Sequence, residues 1–283
     1  MRQPAGRLER EIGELAATPA GEALPDGAAA VIDEVLDALE SGALRAARRD
    51  DAGAWQAVPW VKRAILLAFR VAPVVSLPMG TGFGFTDKRS MPPRSFLPEN
   101  GVRLVPGGSA VRRGAYLAPG VVCMPPMYVN VGAWVGAGTM IDSHALVGSC
   151  AQIGERVHLS AAAQIGGVLE PVNAAPVVIE DGVMVGGNCG VYEGTVVRTG
   201  AVLGAGVILT RGTPVYDLVR QTVYRGSADR PLEIPEGAVV VPGARRISAS
   251  WGEAQGLSLQ TPVIVKYRDE RTDVATTLEQ WLR

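Results

Sequence analysis

A long run of glycine, alanine, valine and isoleucine fills the middle of this chain, and few residues within it can do chemistry. The stretch MIDSHALVGSCAQIG (140–154) carries Asp142 and His144, and GVYEGTVV (190–197) carries Glu193. Carboxylates and imidazoles are side chains that accept and return protons near neutral pH. Each has a plainer role open to it: an aspartate at a chain corner bonds the local backbone, and an outward glutamate is simply solvated. His144 and His158 are the two histidines of the sequence, one short of a three-histidine zinc site. Cys123, Cys150 and Cys189 are widely spaced, with no CxxC or Cys/His cluster. That pattern argues against a zinc site or a disulfide framework and fits a reducing cytosol. Arg103 in GVRLVPG and the pair Arg112–Arg113 stand near the start of the repetitive region, where a ligand groove could begin. MGTGFGF (79–85) does not fit the GxGxxG of a dinucleotide loop and is expected to be a connector or an active-site flap.

Bulk composition narrows the classes further. Lys+Arg at 27 against Asp+Glu at 28 leaves a formal net charge of −1, so nucleic acid is not an expected partner. The N-terminal MRQPAGRLEREIGELAATPAG is charged and lacks the apolar centre of a signal peptide. No apolar stretch approaches the roughly 18 residues that would span a membrane. The 283 residues supply enough apolar material for one large domain and a smaller one. Thirty-five glycines and 20 prolines, with 5% aromatics, point to many turns and narrow packing.

The elements that must position the candidate side chains change character near residue 100. Asp26 is placed to cap a helix whose Val31, Ile32, Val35, Leu36 and Leu39 recur at helical spacing, with Gly42 near its end. Pro59 suits the first turn of a second helix through VPWVKRAILLAFR. Further on, a repeat of period six takes over. Its aliphatic anchors stand at Val129, Val135, Ile141, Val147, Ile153, Leu159 and Ile165, then at Ile179, Val185, Val191, Val197, Leu203, Leu209 and Val215. Weaker anchors at Val105, Val111, Leu117 and Cys123 extend it backwards. The 14-residue gap from Ile165 to Ile179 is one period plus an eight-residue insertion, which places a loop in GGVLEPVNAAPV.

Period six is neither helical nor simple alternation. It describes short strands joined by tight corners, three hexapeptides to a coil, in a parallel β-helix of triangular section. The anchors point inward, and the glycine that often follows an anchor, as at Gly136 and Gly148, is expected to serve the corner conformation. Asp142 takes such a corner position. Three segments result: a helical N-terminal domain and connector over 1–100, a β-helix over 101–217, and a C-terminal β extension with a terminal helix in DVATTLEQWLR over 218–283.

From about residue 40 to about residue 267 the chain resembles the tetrahydrodipicolinate N-succinyltransferase family of hexapeptide-repeat acyltransferases. The likeness rests on GTMID, VGSCAQIG, VHLSAAAQIGGVLEP and PVVIEDGVMVGGN, together with SGALR, VRLVP, TPVYD and VIVK. It implies a mainly β protein: a left-handed parallel β-helix with an α-helical N-terminal domain and a small C-terminal β extension. It further implies a cytoplasmic homotrimer with active sites in grooves between subunits. The implied reaction, in lysine and diaminopimelate biosynthesis, moves succinyl from succinyl-CoA to the amine of ring-opened tetrahydrodipicolinate. Succinyl-CoA is then a co-substrate, and no metal or permanently bound cofactor is implied.

The resemblance makes Asp142 and Glu193 the essential carboxylates and Arg103 a substrate contact. The chemistry agrees, because a protonated amine cannot attack a thioester, and arginine pairs bidentately with the carboxylates of such an acceptor. Gly204 and Ala205 are the candidates for backbone contact with the pantetheine arm of CoA, and Arg245, Arg246 and Lys266 for its phosphates. The family commonly has tryptophan where His144 stands. This histidine is therefore open to three readings: a base, a lining residue of the substrate site, or a structural residue. Two other functions fit the repeat itself: an acyltransferase using acetyl-CoA or another amine acceptor, and a non-catalytic trimeric β-helix scaffold.

Overall fold

The computed structural model describes residues 2–78, 84–227 and 230–268. From Arg103 to Leu209 two-residue strands alternate with tight corners, and the strands stack coil on coil into three parallel faces. The first face climbs from Tyr116–Leu117 through Trp134–Val135, Gln152–Ile153, Val178–Ile179 and Val196–Val197 to Glu233–Ile234. The second begins at Arg103–Leu104 and passes Val122–Cys123, Met140–Ile141, His158–Leu159 and Met184–Val185 to Val202–Leu203 and Ala238–Arg246. The third runs from Ala110–Val111 through Tyr128–Val129, Leu146–Val147, Gln164–Ile165 and Gly190–Val191 to Ile208–Leu209. The second residue of each such strand is an anchor facing the prism interior, and Ile141, Ile153, Leu159, Ile165 and Ile179 are fully buried there. Each such side chain contributes about 1.5–3 kcal/mol by leaving water.

Corner geometry differs from the expectation about glycine. The left-handed backbone falls on the third residue after the anchor, as at Cys150 (φ 64°) and Ala162 (φ 58°), and not on the glycine directly after it. That glycine serves close stacking instead. A β-carbon on Gly148 would sit 2.2 Å from the backbone nitrogen of Gly167 in the next coil.

Both ends of the repeat also shift. Leu104, not Val105, faces the core, because Arg103–Leu104 pairs with Val122–Cys123 and the first connection holds one residue more than the period. At the other end the coils resume after Asp217, where Ile234 extends the first face beside Val197 and Val240 extends the second beside Leu203. The excursion between carries Val215–Asp217 and Thr222–Tyr224, an antiparallel pair at the end of the second sheet. Strand Ala238–Arg246 leaves the prism and returns as Ser258–Tyr267.

The N-terminal domain holds helices α1 (Arg2–Ala16), α2 (Ala28–Glu40) and α3 (Pro59–Val71). Gly27, at φ 85° and with no side-chain hydrogen bond, is the N-cap of α2 in place of Asp26. Pro59 does open α3. Leu8 and Ile12 of α1, Ile32 and Leu36 of α2, and Ile65 of α3 form one core with Val131 and Cys150 of the prism. The strands Val74–Pro78 and Gly84–Lys88 pair as a hairpin, while 79–83, most of MGTGFGF, lie outside the described residues, as does DVATTLEQWLR.

A second contact docks the two domains through polar groups. The Arg45 guanidinium lies 4.1 Å from the Trp134 ring centroid, and its Nε donates to Gln152 Oε1 at 2.9 Å. Buried Glu180 accepts from Arg49 at 2.8 Å, from Trp55 Nε1 at 2.9 Å and from Arg198 at 2.9 Å. Arg112 pairs with Asp87, and Arg113 pairs with Asp33 at 2.7 Å and Asp37 at 2.8 Å. These two arginines therefore hold the helical domain and are not available to a ligand groove.

Candidate active site

The prism has three edges, and the candidate residues gather on two of them. On the edge between the second and third faces, Met124, Asp142, Ser160, Gly186 and Gly204 stand one above another. Each donates its backbone N–H to the anchor of the next coil, Asp142 to Leu159 O at 2.9 Å and Gly204 to Val240 O at 2.7 Å. Asp142 is half-buried, and its Oδ1 accepts the Ser143 N–H at 2.7 Å. That local bond is the corner role expected of an aspartate, and it leaves Oδ2 with no hydrogen bond to a described residue.

His144 occupies the left-handed slot of the same corner at φ 62°, exposed, with Gln164 Nε2 bonded to its carbonyl at 3.1 Å. Its imidazole lies on the same edge as the Asp142 carboxylate. His158 is elsewhere, buried at an outward position of the second face in register with Met140 and Met184. Arg103 is exposed on the first strand of that face, two coils from Asp142, with its guanidinium uncommitted among the described residues. Gly204 and Ala205 lie on the Asp142 edge, three coils beyond it. Lys266 is opposite Val239 at the far end of the second face. Arg245 and Arg246 are further out, opposite Leu259 and Ser258 on the hairpin. At about 3.3 Å per strand residue, Arg245 stands roughly 17 Å along the chain from Val240, the partner of Gly204.

Glu193 stands on the edge between the third and first faces. Its corner departs from the rest of the prism: Glu193 (φ 54°) is a left-handed residue in the second position, before Gly194 (φ 75°), where the other non-glycine left-handed residues of the corners stand in the third. The extra turn presents the exposed carboxylate outward, and Oε2 accepts the backbone N–H of Arg211 at 3.0 Å. Beside it opens a cavity of about 530 Å³ lined by Gly166, Gly167, Val168, Glu170, Pro171, Ala174, Tyr192, Glu193, Thr210 and Arg211. Its roof is the insertion predicted between Ile165 and Ile179. Buried Lys62 of α3 holds that loop by donating from Nζ to Ala174 O at 2.6 Å, and burial lowers its pKa. Glu170, Arg211 and Lys62 escaped the sequence reading. Arg211 follows Glu193 by 18 residues, one full coil, a spacing that places the two in register and was visible in the repeat.

Within one chain Asp142 and Glu193 do not meet. They border the same third face, on opposite edges, and Glu193 lies two coils further along. The two coils alone are about 10 Å, and within one copy Asp142 bonds Ser143 N while Glu193 bonds Arg211 N, with no contact between the two carboxylates.

Coils of hexapeptides joined to a helical domain, with isolated carboxylates on the edges, define a class: the left-handed parallel β-helix of hexapeptide-repeat acyltransferases. A family model for the hexapeptide repeat of succinyl-transferase matches residues 176–211, and one for the tetrahydrodipicolinate N-succinyltransferase N-terminal domain matches residues 16–71. A 2,3,4,5-tetrahydropyridine-2,6-dicarboxylate N-succinyltransferase of Polynucleobacter asymbioticus is 40% identical over 269 residues, covering 93% of this chain and 92% of the other. Its counterpart in Paramagnetospirillum magneticum is 43% identical over 258 residues, 89% of each chain. The chain belongs to the 2,3,4,5-tetrahydropyridine-2,6-dicarboxylate N-succinyltransferase family. A solved structure from Campylobacter jejuni, named as a 2,3,4,5-tetrahydropyridine-2-carboxylate N-succinyltransferase, matches with a TM-score of 0.55 at 19% identity. That match covers 82% of this chain and 62% of the other, less than two thirds of its length, and speaks for the fold alone.

Proposed function

We propose that this chain transfers the succinyl group of succinyl-CoA to the amine of ring-opened tetrahydrodipicolinate, as a cytoplasmic homotrimer whose sites lie between copies. The observation that carries this reading is the placement of Asp142 and Glu193 on the two edges of one face. In a closed ring of three copies with that face inward, the Asp142 edge of one copy meets the Glu193 edge of the next. The second-position turn at Glu193 supports a functional role, since positive φ on a non-glycine residue costs of order 1–3 kcal/mol and the other corners close with their non-glycine left-handed residue in the third position.

In the proposed reaction Asp142 orients the acceptor ammonium and takes a proton from it, with Glu193 of the neighbouring copy assisting. The freed amine attacks the thioester carbon, and a tetrahedral oxyanion forms. Backbone N–H groups at the corners are suited to meet that charge. Collapse expels the CoA thiolate, the nitrogen gives up its second proton to that thiolate, and the new bond is a neutral amide. Arg103 holds an acceptor carboxylate, while the pantetheine arm follows the edge carrying Gly204 and Ala205 towards Lys266, with Arg245 and Arg246 as outer phosphate contacts. His144 lines the acceptor side of the same edge.

Thiol release from succinyl-CoA in the presence of tetrahydrodipicolinate tests the assignment. Wild type turns over, and Asp142→Asn loses at least about 100-fold in kcat, the contribution of a positioned proton acceptor. Equal or better use of acetyl-CoA would overturn the succinyl assignment, a fully active Asp142→Asn would refute the role of that carboxylate, and no thiol release by wild type would return the molecule to a scaffold.

A further inference from the structure

The cavity beside Glu193 contains a cation that the reaction above does not use. Arg211 lines it one coil beyond Glu193, and its guanidinium makes no hydrogen bond or ion pair with any described residue. The stem of Arg211 has a made place: a β-carbon on Gly226 would lie 2.8 Å from Arg211 Cγ, and Gly226 N donates to Arg211 O at 3.2 Å. The backbone N–H of the same residue fixes Glu193 Oε2 at 3.0 Å, which leaves Oε1 open to a ligand.

The backbones of successive coils lie about 4.8 Å apart, so Glu193 and Arg211 bring a carboxylate and a guanidinium to the wall of one cavity from adjacent coils. A ligand whose ammonium and carboxylate share one carbon suits that pairing, with the ammonium at Glu193 and the carboxylate at Arg211. Of the two substrates, the acceptor has that α-amino acid end, whereas the succinyl carboxylate of the donor has no amine beside it. Glu170, on the cavity wall, leaves room for one carboxylate paired to the arginine and disfavours a second anion.

We propose that Arg211 is the residue that binds the α-carboxylate of the amino-acid acceptor, so that Glu193 and Arg211 together read its amine and carboxylate. The proposal rests on the acyltransferase reading, and it gives the acceptor two arginine contacts, Arg103 from the second face for one carboxylate and Arg211 for the other.

Arg211→Gln removes the guanidinium and keeps the backbone N–H that holds Glu193, so the carboxylate stays in place. In steady state the variant should raise the acceptor KM roughly 10- to 100-fold, as expected for losing a charged hydrogen-bond pair. The succinyl-CoA KM and the melting temperature should stay near wild type, and Arg211→Lys should recover part of the loss. An unchanged acceptor KM would overturn the proposal. So would a rise in the succinyl-CoA KM with collapse of the preference over acetyl-CoA, which would move Arg211 to the donor. Calorimetric titration of 2-aminopimelate, the acceptor skeleton without its keto oxygen, separates this proposal from the reaction itself. Binding to wild type that is lost in Arg211→Gln supports the site even without turnover, and equal binding to both refutes it even with turnover.

Discussion

Positive φ has two meanings in this molecule, and the difference decides how single residues are read. At His144 it is the ordinary third position of a corner, shared with Ala162 in the next coil, so the backbone there carries no functional message. At Glu193 it is an addition to the corner, made beside a cavity and an uncommitted arginine. Residue type misleads in the opposite direction at the cysteines. Burial pushes the Cys123 and Cys150 thiols up to about 12, and Cys189 in the same direction, from an ordinary 9.0. For Cys123 and Cys150 only about one thiol in 10⁴ is then ionised at pH 8, and the thiolate is the reactive form. Iodoacetamide at pH 8 is expected to leave all three unmodified in the folded protein and to alkylate them in urea; rapid labelling of the native protein would contradict this. Since the folded values lie above the unfolded one, the stability these thiols contribute is complete below pH 9 and declines as pH rises towards 12.

At the scale of elements, stacking and docking use different chemistry. Coils stack through backbone approach, which is why Gly148 tolerates no β-carbon against Gly167. The helical domain docks through one apolar corner at Val131 and Cys150 and through the ion network at Glu180. Desolvation pulls the Glu180 pKa up, but the Trp55 hydrogen bond and the charges of Arg198 and Arg49 outweigh it and hold the carboxyl below its usual range. Its stabilising effect is therefore present above the unfolded pKa and lost as pH falls through the lower folded one. Glu180→Ala should cost near the lower end of roughly 3–5 kcal/mol, because Arg49 is exposed and Arg198 keeps Glu233. Urea unfolding at pH 7 and again near pH 3 checks this: the gap between variant and wild type should shrink in acid.

On the scale of the whole molecule, the separation of Asp142 and Glu193 yields a test that no single-chain site would pass. Asp142→Asn and Glu193→Gln are each expected to be inactive. Mixed trimers of the two contain some sites with a wild-type aspartate from one copy and a wild-type glutamate from the next. With random assembly about one quarter of the sites are intact, so unfolding and refolding the two dead variants together should restore about a quarter of wild-type turnover. No recovery, with mixed trimers confirmed by native mass spectrometry, would place both carboxylates in one copy's site or remove one from the reaction.

The period of six made the prism legible from sequence, because every anchor must face one narrow interior and a slip of one residue would bury a polar neighbour. It also placed Asp142, Glu193, Gly204 and Ala205 at corners, and Pro59 marked the start of α3. What sequence reading misplaced were features without a fixed phase: the extra residue after Leu104, the excursion before Ile234, and α1, whose three buried positions lie in a charged segment. Likewise Lys62 reads as an ordinary helix lysine until the insertion loop lies over it. Periodicity reports which way a side chain points, inward or outward, but outward positions on different edges look alike. Only the tertiary structure decided that Asp142 and Glu193 flank a common face and that Arg112 and Arg113 are spent on the helical domain, because the first depends on which edge a corner joins and the second on where the helical domain docks.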